Sequence, residues 1–328
     1  MTLRSVGILA TGKYVPEQIL TNSDLERMVE TNDEWIVSRT GIKERRIAAE
    51  HEATSDLAFE AAKRAIAAAN LTVDDIDLII VATVTPDMFF PSTACLVQEK
   101  LGANRAAAFD LSAACSGFIY GLSVANSMIA TGMYNHVLVI GAETLSRITD
   151  YTDRNTCILF GDGAGAVVVG EVEQARGFKS FELGADGSGS ELLKISGGGS
   201  RLPASQQSVE GKEHYIHMAG NDVFKFAVRI MGSAAEEALH KAAMNKEEVD
   251  LLIPHQANIR IIQSAVNRLH LSEEKAMINI SKYGNMSAAS IPVALAEAVE
   301  ENRVKPGDKL VFVGFGGGLT WGAAVLVW

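Results

Sequence analysis

Cysteine is scarce in this sequence, and its scarcity argues against a disulfide-bonded domain and against a zinc-binding domain. The 328 residues contain three cysteines, Cys95, Cys115 and Cys157. An odd number of cysteines without metal-ligand spacing supports neither a disulfide framework nor a zinc site. We therefore expect reduced thiols, a cytoplasmic location and no bound metal.

Positive charge and long apolar runs are also lacking. The 29 lysines and arginines are outnumbered by 40 aspartates and glutamates, and the formal net charge of −11 argues against a general nucleic-acid binder. No apolar run reaches the roughly 20 residues of a membrane span. The apolar run within the N-terminal stretch MTLRSVGILATG is too short for a signal peptide. With 48% hydrophobic residues the chain can bury a large α/β core, and an acidic partner would need a local basic patch.

The stretch from Asp110 to Gly132 predicts a nucleophile at Cys115. An apolar strand precedes Cys115, and apolar residues follow it at helical spacing until Gly132. Cys115 should therefore lie where a strand passes into a helix, and a helix N-terminus favours a thiolate over a thiol. A single cysteine is also often a small buried core residue, so this interpretation needs support from other residues.

The second half of the chain repeats the pattern of the first. FEAAKRAIAAANL with VDDIDLIIVATVT matches AAEEALHKAAM with KEEVDLLIPHQAN, and Cys115 and Asn285 follow at similar distances, each before a helix. A polar, glycine-rich stretch from Glu171 to Gly220 marks the join. The pattern predicts two duplicated α/β halves, residues 1–173 with Cys115 and residues 174–328 with His255 and Asn285. Their equivalent turns should face each other across a pseudo-twofold axis.

Near the N-terminus, Ser23 and Glu26 have the spacing of a capping box, which predicts a helix through about Val37. Trp35 lies close in sequence to Arg39 and to further basic residues. An indole among guanidinium groups suits a planar polyanion such as a nucleotide. A solvated charged face anchored by one tryptophan is the alternative.

Three further features complete a candidate site. His255, in LLIPHQAN, lies just beyond a buried strand, where open α/β sheets carry their sites. Asn285, in SKYGNMSAAS, is by itself explained as a turn and helix cap. The motif GFGGGLTWG is followed by too little chain for a dinucleotide fold, and its glycines favour close approach of backbone N–H groups to an oxyanion.

Together, DLSAACSGF, PHQANIR, YGNMSAASIP and GFGGGLTWG resemble the β-ketoacyl-acyl carrier protein synthase III family, the initiating condensing enzymes of bacterial type II fatty acid synthesis. The similarity covers essentially the whole chain. Thiolases use a second cysteine and elongating synthases two histidines, whereas Cys115, His255 and Asn285 match synthase III. Chalcone synthases share the three residue types, but their chains are longer and their terminal loop differs. The resemblance implies the thiolase fold, two duplicated halves in a five-layered αβαβα arrangement, and a homodimer.

The resemblance also implies a mechanism. Cys115 would accept an acyl group from acyl-CoA, and the backbone N–H groups of Cys115 and Gly317 would form the oxyanion hole. His255 and Asn285 would stabilise the enolate of malonyl-acyl carrier protein as carbon dioxide leaves. Decarboxylation makes the carbanion, so no metal, flavin or nicotinamide is expected.

Binding roles follow from the same resemblance. CoA contacts would come from Trp35, Arg39, Arg154, Asn258 and Phe315, with the adenine between Trp35 and Arg154. Contacts to the acyl carrier protein would come from Lys225, Gln256, Ala257, Asn258, Ile259, Arg260 and Arg268. Phe90 would reach across the dimer to close the acyl pocket of the other subunit.

Three alternatives use the same residues: a related acyltransferase or condensing enzyme of secondary metabolism, a cysteine hydrolase of thioesters, and a scaffold without catalysis. Activity with malonyl-acyl carrier protein, release of free acid, and failure of Cys115 to be acylated would distinguish them. The choice between acetyl-CoA and a branched acyl-CoA depends on packing, which the sequence leaves open.

Overall fold

The computed structural model describes residues 3–328. The strands are β1 (Val6–Tyr14), β2 (Gln18–Thr21), β3 (Glu44–Ile47), β4 (Leu78–Ala82), β5 (Ala107–Leu111), β6 (Val137–Thr144), β7 (Asp162–Glu171), β8 (Gly177–Ala185), β9 (Leu193–Lys194), β10 (His217–Met218), β11 (Leu251–Pro254), β12 (Lys309–Gly316) and β13 (Thr320–Val327). The helices are α1 (Asn22–Glu26), α2 (Asp33–Thr40), α3 (Thr54–Ala68), α4 (Thr93–Leu101), α5 (Gly117–Ala130), α6 (Gln206–Glu210), α7 (Gly220–Lys241), α8 (Ile259–Arg268), α9 (Ile280–Tyr283) and α10 (Ser290–Glu300). None of the helices between residues 3 and 328 combines the length and apolar character that a membrane crossing requires.

The two larger sheets repeat one strand order. In the first, β1-β7-β6-β4-β5, the pairs β1–β7 and β7–β6 are antiparallel and the others parallel. The second, β8-β13-β12-β11, has the same directions, and a single bridge between Leu252 and Ala276 stands where a fifth strand would pair. The predicted duplication is therefore confirmed. β7 ends at Glu171 and β8 begins at Gly177, and the division between residues 173 and 174 stays a prediction.

Helices fill the space between the sheets and cover both outer faces. α5 and α10 pack between the sheets, where Leu122 and Leu295 share one buried cluster with residues of both. α3 and α4 cover the outer face of the first sheet, and α7 and α8 cover that of the second. Alternate residues of β4 face the two sides: Ile80 packs inside and Ile79 outside. Because both faces of the sheet are covered by helices, β4 is apolar along its whole length. The order of helices and sheets confirms the predicted five-layered αβαβα arrangement.

The helix predicted from Ser23 to about Val37 is wrong, because two caps divide the segment. Thr21, not Ser23, caps α1, and its hydroxyl accepts the N–H of Asp24 at 3.2 Å. Asn32 then starts α2 by accepting the N–H of Trp35 at 2.8 Å. Each oxygen satisfies an N–H that the first helical turn leaves unpaired.

The polar stretch between Glu171 and Gly220, which the sequence marks as the join between the halves, is folded. It contains β8, an edge strand of the second sheet, and α6. It also contains the pair β9–β10, in which Leu193 lies opposite Met218. Short apolar pieces within a polar segment thus contribute to the structure.

Two matching turns lead into the central helices. Residues 114–116 precede α5 and residues 287–289 precede α10, and each turn begins with a left-handed residue, Ala114 at φ 46° and Ser287 at φ 44°. The predicted equivalence of turns is right, but Ala288 is the counterpart of Cys115. Asn285 lies three residues earlier than Ala288.

Each turn packs against a glycine of the other half. A Cβ at Gly141 in β6 would lie 2.1 Å from the carbonyl oxygen of Ala288, and one at Gly316 in β12 would lie 2.5 Å from the amide nitrogen of Cys115. Neither distance is compatible with a side chain. These glycines therefore set how closely the two halves approach.

Gly141→Ala should lower the free energy of unfolding by about 1–3 kcal/mol, because the added methyl group forces a backbone shift in a close-packed contact. Urea denaturation measures the change. Gly199→Ala is the matched control, since a Cβ there meets nothing within 4 Å. Equal stability of the two variants would contradict the predicted contact.

Candidate active site

Cys115 lies where the sequence placed it, between β5 and α5. Its side chain is buried at 8% exposure, and it lines two cavities. Burial raises the pKa of the thiol to about 12. Loss of water around the sulfur thus outweighs the N-terminus of α5, and the thiol form dominates at neutral pH instead of the expected thiolate.

His255 follows β11 and is completely buried. Neither ring nitrogen has a hydrogen-bond partner among residues 3–328, and the ring packs edge-on against Phe315 at 5.8 Å between centroids. Burial lowers the pKa of His255 to about 3, so the imidazole is neutral at pH 7. A neutral imidazole has one N–H to donate to a ligand.

Asn285 is held by its backbone and by its side-chain oxygen. Its N–H donates to the carbonyl of Leu159 at 2.8 Å, and its carbonyl accepts the N–H of Gly161 at 3.0 Å. The Oδ1 atom accepts the N–H of Ser287 at 2.8 Å. Because the oxygen is used, the amide NH2 group is the part of Asn285 that can serve a ligand.

A cavity of about 100 Å³ brings the three side chains together. Cys115, His255 and Asn285 line it with Phe315 and Gly316. The thiol nucleophile and two hydrogen-bond donors therefore face one small space, although they come from different halves of the chain.

A second cavity of about 310 Å³ also borders Cys115. Its apolar lining includes Val84, Leu145, Ile148, Phe160, Leu193, Ile195 and Ile216. The last three come from the polar stretch and were missed, although ELLKIS and YIHM carry short apolar pieces that were a signal. Cys115, Phe160 and Leu193 line both cavities, so Cys115 lies where the two meet.

A surface cleft of about 590 Å³ leads toward the small cavity. Trp35, Arg39, Asn258 and Arg260 line it, and the two spaces share Leu159, Met218, Gly220, Phe224 and Asn258. The side-chain amide of Asn258 donates to the carbonyl of Arg39 at 2.8 Å and thereby joins α8 to α2. A path lined by both halves therefore runs from the surface to Cys115.

The predicted adenine sandwich differs from the observed geometry. The guanidinium of Arg154 lies 4.7 Å from the centroid of the Trp35 ring, and that of Arg39 lies 5.2 Å from it. Arg154 in this position leaves no room for a purine between it and the indole. An adenine stacked on that face requires Arg154 to move outward.

Two residues predicted to bind a carrier protein are not on the surface. Gln256 is fully buried, and its Nε2 donates to the carbonyls of Pro254 at 2.8 Å and Met277 at 3.0 Å. Ala257 is buried and lines the small cavity. Gln256 therefore serves the backbone behind His255, and the carrier contact predicted for these two residues stays a prediction.

The remaining predicted carrier contacts lie at or near the surface. Lys225 and Arg260 are exposed on α7 and α8, and Arg260 packs over Phe224 at 5.8 Å. Arg268 is exposed but bound to Glu236 at 2.8 Å. Ile259 is half-buried against Gly41.

Gly317 and Phe90 were also singled out by the sequence. Gly317 lines the larger cavity with Cys115, close to the predicted oxyanion position. Phe90 is 85% exposed and lines none of the three spaces described above. Their roles stay predictions.

Sequence reasoning missed one charged group of the site. Glu143, at the end of β6, is completely buried, and its carboxylate accepts the hydroxyl of Thr85 at 2.6 Å and the N–H of Val84 at 3.1 Å. Its signal was a single carboxylate in the apolar strand VLVIGAET. No cluster of metal-ligating side chains occurs within residues 3–328.

Comparison with known proteins identifies the family and the fold. Models of the 3-oxoacyl-[acyl-carrier-protein] synthase III family match residues 109–187 and, for its C-terminal part, residues 239–328. A β-ketoacyl-[acyl-carrier-protein] synthase III of Natranaerobius thermophilus is 61% identical, over 98% of both chains. The crystal structure of the Aquifex aeolicus synthase III superposes with a TM-score of 0.91 at 51% identity, covering 98% of this chain and 100% of that one. The Thermus thermophilus structure gives 0.92 at 50% identity, covering 98% and 99%.

The fold and the site define a condensing acyltransferase of the thiolase-fold class. Such an enzyme joins acyl groups through a covalently held intermediate. Within this class, the chain belongs to the 3-oxoacyl-[acyl-carrier-protein] synthase III family.

Iodoacetamide should alkylate Cys95 before Cys115 at about pH 8, because Cys95 is exposed and Cys115 is a buried thiol. Since the pKa of Cys115 is raised to about 12, its rate should keep rising with pH throughout the alkaline range. Peptide mass spectrometry measures each site. A Cys115 rate that levels off near the roughly 8.5 of an ordinary thiol would show that burial does not control this cysteine.

Proposed function

We propose that this chain condenses a short acyl-CoA with malonyl-acyl carrier protein. The products are 3-oxoacyl-acyl carrier protein, CoA and carbon dioxide, and the reaction initiates fatty acid synthesis. The observation that carries the proposal is the position of Cys115. It lies where an apolar cavity meets a cavity that contains two hydrogen-bond donors, His255 and Asn285.

In the first half-reaction, the acyl-CoA enters through the surface cleft and the acyl chain occupies the apolar cavity. The sulfur of Cys115 attacks the thioester carbonyl, and CoA leaves as a thiol. Backbone N–H groups of Cys115 and Gly317 hold the oxyanion. The larger cavity, at about 310 Å³, suits a short linear or branched acyl group better than a long chain.

In the second half-reaction, the malonyl thioester occupies the small cavity. His255 and Asn285 donate hydrogen bonds to its carbonyl oxygen, and they stabilise the enolate that forms as carbon dioxide leaves. The neutral state of His255 suits this role, since the ring is needed as a donor and not as a base. The carbanion attacks the acyl-cysteine, so the proposed chemistry needs no metal, flavin or nicotinamide.

CoA recognition is proposed along the cleft. Trp35, Arg39 and Asn258 line its wall, and Phe315 lies deeper, beside His255. Arg154 covers the outer face of Trp35 and supplies a second positive charge. Guanidinium groups suit the phosphates of the nucleotide.

The acyl carrier protein is proposed to dock over the mouth of the same cleft. Arg260 lines this cleft, and Lys225 is exposed on α7 next to the lining residue Phe224, where Asp222 offsets part of its charge at 3.3 Å; the net charge of the chain is −11. Arg268 adds a third cation on α8, although Glu236 offsets part of its charge. A local basic patch of this kind lets an acidic carrier approach an acidic enzyme.

A homodimer in the cytoplasm completes the proposal. Phe89 and Phe90 are 82% and 85% exposed, side by side on one loop. Adjacent exposed aromatic rings are typical of surfaces that another protein covers. In the dimer, Phe90 closes the acyl cavity of the second copy.

Intact-protein mass spectrometry after mixing with acetyl-CoA or isobutyryl-CoA tests the first half-reaction. The expected adduct is one acyl group, absent in Cys115→Ala, and the relative rates give the primer class. Cys157→Ala is the control, because Cys157 is buried and lines none of the three spaces described above. No adduct from either thioester would remove the basis of the proposal.

Asn285→Asp should separate the two half-reactions. The substitution replaces the donor NH2 group by a carboxylate, which repels the developing enolate, so condensation should fall by about 100-fold or more. Acylation of Cys115 should persist. Rapid-quench measurement of both steps distinguishes them, and an equal loss in both would mean that Asn285 only supports the fold.

A further inference from the structure

The predicted oxyanion hole takes one N–H group from each half of the chain. Cys115 belongs to the turn before α5, and Gly317 belongs to the loop between β12 and β13. The N–H of Gly317 donates to no backbone carbonyl within residues 3–328, so it is free for a ligand. Two donors hold one oxyanion only when each lies about 2.7–3.1 Å from it. The separation between the turn and the loop must therefore be fixed closely.

Close packing fixes only the lower limit of that separation. Gly316 lies against the turn, and a Cβ there would lie 2.5 Å from the amide nitrogen of Cys115. A contact between non-bonded atoms prevents closer approach, but its attraction is too weak to prevent the two elements from moving apart. The upper limit needs a stronger attraction between the turn and the loop, such as a hydrogen bond.

Two hydroxyl groups supply this attraction. The hydroxyl of Thr320, the first residue of β13, donates to the carbonyl oxygen of Ala113 at 2.9 Å. The hydroxyl of Ser116 lies 2.7 Å from the same carbonyl oxygen and 2.9 Å from Thr320 Oγ1. Ser116 is fully buried and Thr320 is half-buried. Because Ala113 and Ser116 lie on either side of Cys115 and Thr320 belongs to the second half, this triangle of oxygens joins the two halves at the nucleophile.

The loop that carries Gly317 is fixed at the same end. Leu319 exchanges two backbone hydrogen bonds with Asp186, at 2.8 and 2.9 Å, which join the loop to the residue that follows β8. Thr320 Oγ1 also lies 3.4 Å from the carbonyl oxygen of Gly317. The loop is therefore attached to its own half through Leu319 and to the turn of the other half through Thr320.

We propose that Thr320, supported by Ser116, positions the oxyanion hole. Its hydroxyl holds the turn of Cys115 against the loop of Gly317, so that both N–H groups reach one carbonyl oxygen. The role is indirect, since neither Thr320 nor Ser116 lines either cavity at Cys115. Groups that act on a substrate must be held within about 0.5 Å of the productive geometry, and hydrogen bonds behind them provide that support. The inference rests on the proposed acyl transfer and adds two positioning residues to it.

Thr320→Val tests the positioning role, because valine has nearly the shape of threonine but no hydroxyl. Acylation of Cys115 by saturating acetyl-CoA should become about 10–100-fold slower, since a displaced donor stabilises the oxyanion less. Alkylation of Cys115 by iodoacetamide should change by less than about twofold, because that displacement forms no oxyanion. The acetyl-CoA concentration that gives half the maximal acylation rate should stay unchanged, since the hole acts on the transition state. Thr320→Ser keeps the hydroxyl and should restore most of the acylation rate.

Thr131→Val is the matched control. The hydroxyl of Thr131 donates to the carbonyl of Ser127 at 3.0 Å, at the exposed end of α5, and makes no bond to the second half. Acylation and alkylation should both proceed at the wild-type rates. Ser116→Ala is a second variant of the triangle, and it should slow acylation selectively but less than Thr320→Val, because Thr320 still binds Ala113.

The outcomes separate the positioning role from the proposed function. Acylation of Thr320→Val at the wild-type rate would overturn the positioning role alone. An equal loss of acylation and alkylation would also overturn it, because the turn would then be disturbed as a whole. If urea denaturation shows that Thr320→Val does not fold, the same comparison of the two rates in Ser116→Ala decides. A wild type that no acyl-CoA modifies would overturn the proposed function as well.

Discussion

The site depends on one steric constraint. In each half, the turn before the central helix, residues 114–116 or 287–289, lies directly against a glycine of the other half. Gly316 lies against the amide of Cys115, and Gly141 lies against the carbonyl of Ala288. Any side chain at these positions would hold the halves apart. With glycine at both, β12 and β6 approach the opposite turns closely enough for Cys115, His255 and Asn285 to share one cavity. The duplicated fold is therefore what assembles the chemistry.

Close approach also means burial, and burial sets the protonation states. Desolvation disfavours every charged form in the cavity, so Cys115 remains a thiol and His255 a neutral imidazole. Glu143 responds in the same direction, but its hydrogen bonds hold its pKa near neutrality. The result is a site whose neutral hydrogen-bond donors are ready for a developing oxyanion. The sulfur of Cys115 and the ring of His255 therefore carry no charge before the reaction begins.

Local patterns in the chain were sufficient to locate Cys115 at a strand-to-helix turn, His255 beyond a strand, and the duplicated halves. These features depend on periodicity and glycine placement, which sequence shows directly. The burial of Gln256 was not foreseen, because a glutamine that binds the backbone cannot be told in the sequence from one that binds a partner. Glu143 was passed over, because its hydrogen bonds to Val84 and Thr85 depend on the pairing of β4 with β6. Long-range contacts of this kind leave no local pattern.

The burial of Cys115 has a consequence beyond catalysis. Oxidants such as peroxide react with thiolates far faster than with thiols, and they must reach the sulfur. Cys115 stays protonated between turnovers and lies where two narrow cavities meet. It should therefore react slowly with oxidants until a thioester binds. Cys95, exposed on α4, meets oxidants first. The enzyme thus carries its reactive atom in a form that resists inactivation in the absence of substrate.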